Sequence, residues 1–189
     1  ATIYFKGSDK YNNITKNVNV TIISTIYAED IVKMFQNGTQ FFANFTDIDG
    51  KPLANTNVTF NINGVFYTRT TDENGIAKLN INLRPGKYVI TTMYDGLATG
   101  NNIEVLSTLV TSNLNMTYKD GSQFNATVLD GRGSPLVNQE VIFNVNGVFY
   151  YKTTNLDGVT SLNINLVKGN YIITSEWNGY QVGNNITIA

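Results

Sequence analysis

The 189-residue chain has no cysteine and no histidine, only three prolines and one tryptophan, and no apolar run long enough to cross a bilayer as a helix. Without cysteine there can be no disulfide and no thiolate metal site. Without histidine the commonest general base and the commonest transition-metal ligand are missing, so catalysis would have to rest on carboxylates, lysine or tyrosine. An excess of charge is missing too. Thirteen basic residues against 14 acidic ones leave a net charge of −1, which gives no long-range field to gather nucleic acid or an anionic membrane. These absences predict no cofactor, no nucleic-acid partner and no membrane insertion in this segment.

Strand formers and turn formers fill the space. Hydrophobic residues make up 42% of the chain and aromatics 12%, enough to build a core. Asparagine occurs 28 times and threonine 23 times. Thr, Ile, Val, Tyr and Phe suit strands, while Asn and Gly suit the turns between them.

The strongest signal is an internal repeat. Asn61-Ile62-Asn63-Gly64-Val65-Phe66-Tyr67 returns as Asn144-Val145-Asn146-Gly147-Val148-Phe149-Tyr150, and Leu79-Asn80-Ile81-Asn82-Leu83 returns as Leu162-Asn163-Ile164-Asn165-Leu166. The offset is 83 residues. At that offset Tyr27–Val105 aligns with Val110–Ile188 without a gap, identical at 34 of 79 positions. Upstream, Thr2–Gly7 follows the pattern of Thr91–Gly96, and Val18–Ser24 that of Asn101–Ser107. The expected organisation is therefore 1–24, the last two strands of a truncated upstream module; 25–107, a first full module; and 108–189, a second. The connector Leu106-Ser107-Thr108-Leu109-Val110 has no Gly or Pro, which predicts modules docked end to end with limited freedom.

Within a module the period is two. Val58, Phe60 and Ile62 share one face, Thr59 and Asn61 the other. Such alternation puts one face in a core and one in water. Asn63-Gly64 and Asn146-Gly147 suit tight hairpin turns. The expected strands of the first module are 29–36, 40–47, 57–63, 65–71, 76–83, 87–94 and 101–106, with 83 added for the second. Seven short strands in about 80 residues predict a two-sheet β-sandwich, so the fold class is all-β.

One series of residues carries a family resemblance: Asp47-x-x-Gly50-x-Pro52-Leu53, Val58-x-Phe60, Asn63-Gly64, Thr71-x-x-x-Gly75-x-Ala77-x-Leu79 and Leu83-x-Pro85-Gly86-x-Tyr88-x-Ile90-Thr91. It resembles the immunoglobulin-like repeats of invasin- and intimin-type adhesins, and more closely the tandem repeats of adhesin-like surface proteins of methanogenic archaea. The second module departs from the pattern, with Val167-Lys168-Gly169 for Arg84-Pro85-Gly86 and Thr160 for Ala77. The resemblance implies tandem immunoglobulin-like modules in an extracellular stalk, associated with the cell surface or cell wall. It implies no particular ligand.

Four sets of residues carry possible chemistry. Lys33 shares a strand face with Ile31 and Phe35, and its counterpart 83 residues on is Met116, on a core face. A buried ammonium needs a partner. A crosslink to a core-parity asparagine, of the kind seen in pilins and adhesins, makes Asn101 the partner to test. Against it, Asn184 recurs with no matching lysine, and no core-facing acid accompanies the pair. The alternative is that Lys33 snorkels from an edge strand. Asp47, Asp49 and Asp72 could offer oxygens to calcium, but EF-hand spacing is absent and Asp is an ordinary turn residue. Asn-x-Thr sequons begin at Asn13, Asn19, Asn37, Asn44, Asn57, Asn115, Asn125 and Asn185, as an Asn- and Thr-rich composition also produces. Phe66 and Phe149 take outward parity in their hairpins, with Val65, Tyr67, Val148 and Tyr150 inward. They could contact a ligand or pack across strands.

No nucleophile sits beside a base and no phosphate loop opens a helix, so the chain is not expected to be an enzyme. The leading expectation is a monomeric structural spacer in a cell-surface adhesin. The alternative is that the modules themselves bind a carbohydrate or protein on a partner cell, and a glycosidase accessory module is a weaker third.

Overall fold

The computed structural model describes residues 2–19 and 23–189. Among these, every regular element is a β-strand. Strands β3 (Ile26–Ala28) to β10 (Leu97–Leu106) build one sandwich, and β11 (Leu109–Thr111) to β18 (Tyr180–Ile188) build a second. In the first, β4 (Ile31–Met34), β10, β9 (Gly86–Tyr94), β6 (Asn57–Ile62) and β7 (Val65–Thr70) form a five-stranded sheet in that order. It faces a three-stranded sheet of β3, β5 (Gln40–Phe45) and β8 (Ile76–Asn80). In the second, β12 (Leu114–Met116), β18, β17 (Gly169–Trp177), β14 (Glu140–Val145) and β15 (Val148–Thr153) face β11, β13 (Gln123–Val128) and β16 (Val159–Asn163). The chain is a tandem of immunoglobulin-like β-sandwiches.

The two cores repeat position for position. Phe41, Phe45, Phe60, Ile90 and Ile103 in the first correspond to Phe124, Val128, Phe143, Ile173 and Ile186 in the second. Phe41 meets Phe60 edge-on with ring centroids 5.8 Å apart, and Phe124 meets Phe143 at the same separation. Only two buried positions change chemistry across the offset: Ala77 becomes Thr160, and Lys33 becomes Met116. Tight turns at Asn63-Gly64, Asp95-Gly96, Asn146-Gly147 and Asn178-Gly179 all have positive φ at both residues, which matches the twist of the strands they join.

The expected strand 29–36 is the shorter β4, and a strand outside the expected set, β3, precedes it in the other sheet. β3 pairs antiparallel with β5, and after Glu29-Asp30 the chain crosses so that β4 pairs parallel with β10. Asp30 holds this step. Its carboxylate accepts the backbone amide of Asn102 at 2.8 Å and the Asn102 side-chain amide at 2.8 Å. These bonds, the side-chain one foremost, hold the Asp30 carboxyl below the usual carboxylate range.

A second difference lies in the hairpins. Val65 and Val148 are about half exposed despite their inward parity. β7 and β15 are edge strands of their sheets, and only Tyr67 of this set packs against a core.

Upstream, β1 (Thr2–Phe5) pairs antiparallel with β2 (Ile14–Asn17). Phe5 faces Ile14 as Tyr94 faces Leu97, and Thr2 faces Asn17 as Thr91 faces Gly100. The expected strand Val18–Ser24 falls partly on residues 20–22, outside the described residues.

Candidate functional site

Lys33 points into the first core and is 4% exposed. Its amino group donates to the backbone carbonyls of Ile81 at 2.7 Å, Asn37 at 2.8 Å and Thr39 at 3.2 Å. Three acceptors satisfy all three N–H bonds of an ammonium. Burial holds the Lys33 pKa below the ordinary lysine value. The amine therefore ties the loop that follows β4 to the end of β8.

The structure does not bring Lys33 and Asn101 together. Lys33 is in register with Val105 on β10, four residues from Asn101, roughly 13 Å along the strand at about 3.3 Å per residue. The Asn101 side-chain amide donates instead to the Ala28 carbonyl at 3.0 Å and to Asp30 Oδ1 at 3.3 Å. Its buried Oδ1 has no hydrogen-bond partner. In the second sandwich the matching Asn184 Oδ1 accepts from the Thr111 hydroxyl at 2.6 Å, and Ala28 stands where Thr111 does.

Asp47 and Asp72 are turn-holding residues. Asp47 Oδ1 accepts the amides of Asp49 and Lys51, each at 2.9 Å, and Asp72 Oδ1 accepts those of Asn74 at 2.9 Å and Ile76 at 3.0 Å. Among the described residues no three acidic side chains gather as a metal centre would require.

Phe66 and Phe149 are 67% and 56% exposed. Each begins a row that crosses four strands on the outer face of a five-stranded sheet. Phe66 faces Asn61, Asn61 faces Thr91, and Thr91 faces Gly100. Phe149, Asn144, Thr174 and Gly183 form the identical row in the second sandwich. Both glycines lie within strands without a left-handed φ. A Cβ would meet nothing within 4 Å at Gly183 and only a Val89 methyl at 3.7 Å at Gly100. Neither backbone conformation nor packing requires glycine there.

The joint between the sandwiches is a site that sequence reasoning placed but did not resolve. Only Ser107 and Thr108 separate β10 from β11. The Ser107 hydroxyl donates to the Leu109 carbonyl at 2.6 Å, and the Thr108 carbonyl accepts from the Leu129 amide at 2.8 Å. Three contacts bridge the sandwiches. The Phe35 ring lies 5.2 Å from that of Tyr180, the Asn178 side chain donates to Gln36 Oε1 at 3.1 Å, and the Asn37 side chain donates to the Gly131 carbonyl at 3.1 Å. The signal that could have found them is the one place in this turn where the repeat trades a side chain for none, Ile48 for Gly131.

No protein-family model matches the chain, and no curated protein matches it significantly. Solved structures do resemble it. The I9–I11 tandem of titin is 16% identical over 89% of this chain and 65% of that one, with a TM-score of 0.42. Invasin, a bacterial integrin-binding protein, is 21% identical over 88% of this chain and 40% of its own, with a TM-score of 0.40. FdeC, an adhesin of Escherichia coli, is 14% identical over 95% of this chain and 68% of its own, with a TM-score of 0.37. The chain thus spans less than two thirds of the titin and invasin chains.

Proposed function

We propose that this chain is a non-catalytic spacer segment of an extracellular cell-surface adhesin, in which tandem sandwiches hold a more distal binding region away from the cell. The observation that carries this reading is the joint. A two-residue connector with both residues hydrogen-bonded, bridged by a ring contact and two side-chain bonds, transmits orientation where a flexible linker would lose it. The motif resemblance to the adhesin-like repeats of methanogenic archaea supports the same role and an envelope-associated location. In this reading residues 25–107 and 108–189 are two modules, and β1 and β2 within 1–24 are the closing hairpin of a preceding one, in keeping with their register. The segment itself is monomeric.

A second reading, that the modules bind a ligand themselves, is favoured by the duplicated Phe–Asn–Thr–Gly row. Glycine inside a strand costs about 0.5–1 kcal/mol relative to alanine. Where neither φ nor packing demands it, close approach of a ligand is a remaining reason. An exposed ring beside an amide and a hydroxyl, with no charge in the row, suits a neutral glycan.

A glycan array probed with the whole chain separates the two readings. No bound glycan is expected for a spacer. A hit that survives in the double variant F66A/F149A would sink the row as the binding surface, and a hit abolished in that variant would replace the spacer reading with the second.

A further inference from the structure

The turns Asp47-Ile48-Asp49-Gly50 and Asp130-Gly131-Arg132-Gly133 are built alike. Asp130 Oδ1 accepts the amides of Arg132 and Ser134, each at 2.8 Å, as Asp47 does those of Asp49 and Lys51. The second residue of the first turn is Ile48, 90% exposed. The backbone of this turn therefore accepts a β-branched side chain, and Gly131 has no left-handed φ that would demand glycine. What the second turn lacks room for is a side chain facing its neighbour. A Cβ on Gly131 would lie 3.0 Å from Asn37 Cβ and 3.3 Å from Asn37 Cα. That is too close without movement of the Asn37 backbone, and the same Asn37 side chain donates to the Gly131 carbonyl.

We propose that Gly131 is the specificity-determining residue of sandwich docking. The empty Cβ position on the head of the second sandwich is the seat for the 35–37 loop of the sandwich before it. The partner is a segment of fixed chemistry: an aromatic ring for Tyr180, an amide for Asn178, and an asparagine that lies flat on the glycine. The head of the first sandwich is not such a seat. Ile48 fills the position of Gly131, Leu97 replaces the Tyr180 ring, and Asp95 stands where Asn178 donates. The two heads are therefore not interchangeable, and a sandwich joined in front of the first one adopts a different pose from the one seen between the two. This goes beyond the spacer role and does not depend on what the chain binds.

The test is to give the second head the residue of the first. In the whole chain, residual dipolar couplings and amide relaxation of wild type are expected to report one shared alignment and one tumbling time for both sandwiches. G131I is expected to lose both, each sandwich aligning and tumbling on its own, with amide shifts away from the joint unchanged. G131A is expected to weaken the coupling by less than G131I does. R132A, next door in the same turn, is expected to leave the joint intact. Shared alignment retained in G131I, or lost equally in R132A, overturns the proposal.

Discussion

Gly75→Ala is expected to destabilise the first sandwich severely while leaving the second unchanged, with Gly158→Ala doing the reverse. Gly75 has φ +74°, and a Cβ there would lie 2.4 Å from the Phe45 carbonyl oxygen and 3.1 Å from the Leu53 amide nitrogen. All of these neighbours are backbone, and they are already committed. The Phe45 amide donates to the Gly75 carbonyl at 2.9 Å, and the Leu53 amide donates to the Phe45 carbonyl at 3.0 Å. A methyl group would have to push β5 away from the bridge between Thr46 and Pro52. Gly158 repeats the arrangement, with φ +70° and a Cβ position 2.7 Å from the Val128 carbonyl oxygen. A left-handed residue with a side chain costs about 1–2 kcal/mol by itself. With the displaced sheet added, the loss exceeds about 4 kcal/mol, in the range reserved for the most disruptive single changes. Gly50→Ala is the control: φ is +79°, but nothing lies within 4 Å, so only the conformational cost of about 1–2 kcal/mol applies. Calorimetry should show one of two transitions displaced in each variant. A Gly75→Ala chain that melts like wild type would refute the packing argument.

Lys33→Ala is expected to destabilise the first sandwich by about 3 kcal/mol, from a lost buried stem and the unpaired carbonyl of Ile81. Lys33→Met should cost less, about 1–2 kcal/mol, the part that comes from leaving the same Ile81 carbonyl unpaired. It keeps the stem and removes a charge whose desolvation offsets much of its hydrogen bonding. Met116 already fills the matching place in the second core. A pH signature separates the charge from the packing. The folded-state pKa of Lys33 lies below the ordinary value of 10.5. Below the folded pKa both states carry the proton and stability is flat. Between the folded pKa and 10.5 the unfolded chain binds more protons than the folded one, so stability rises with pH through that window. The quantity to measure is wild type minus Lys33→Met in urea unfolding, so that contributions shared by the two chains cancel. A difference that falls with rising pH would contradict the buried ammonium.

The period-two alternation and the 83-residue offset made most of the fold legible, because strand parity is a local property. Val58, Phe60 and Ile62 read inward and are buried, as are Val141, Phe143 and Val145. The crossing between sheets was missed although it left a trace. Inward residues are even-numbered through Ile26 and Ala28, then odd-numbered from Ile31 to Lys33, a slip of one that marks the step at Glu29-Asp30. The parity of Val65 and Val148 misled because parity fixes a direction and not whether anything lies there. Lys33 could be read as inward from Met116, but its acceptors could not. Ile81 is 48 residues away in sequence, and the loop carbonyls depend on the turn geometry at Gln36. The joint was the least legible feature, since Asn37 and Gly131 meet only after both sandwiches have formed.

The parallel pairing of β4 with β10, and of β12 with β18, sets how each sandwich carries tension. The second strand of each sandwich, which follows the short β3 or β11, lies alongside its last strand, Ile31 to Met34 against Ile103 to Leu106, and Leu114 to Met116 against Ile186 to Ile188. A pull along the chain drags these neighbours in opposite directions along their own length. The bonds between them then stretch together instead of peeling apart singly, and the Phe35–Leu106 and Tyr118–Ala189 bonds extend the same seams. Rupture in each sandwich is thereby concentrated in one short patch, while the Phe and Ile core behind it stays intact until that patch gives way.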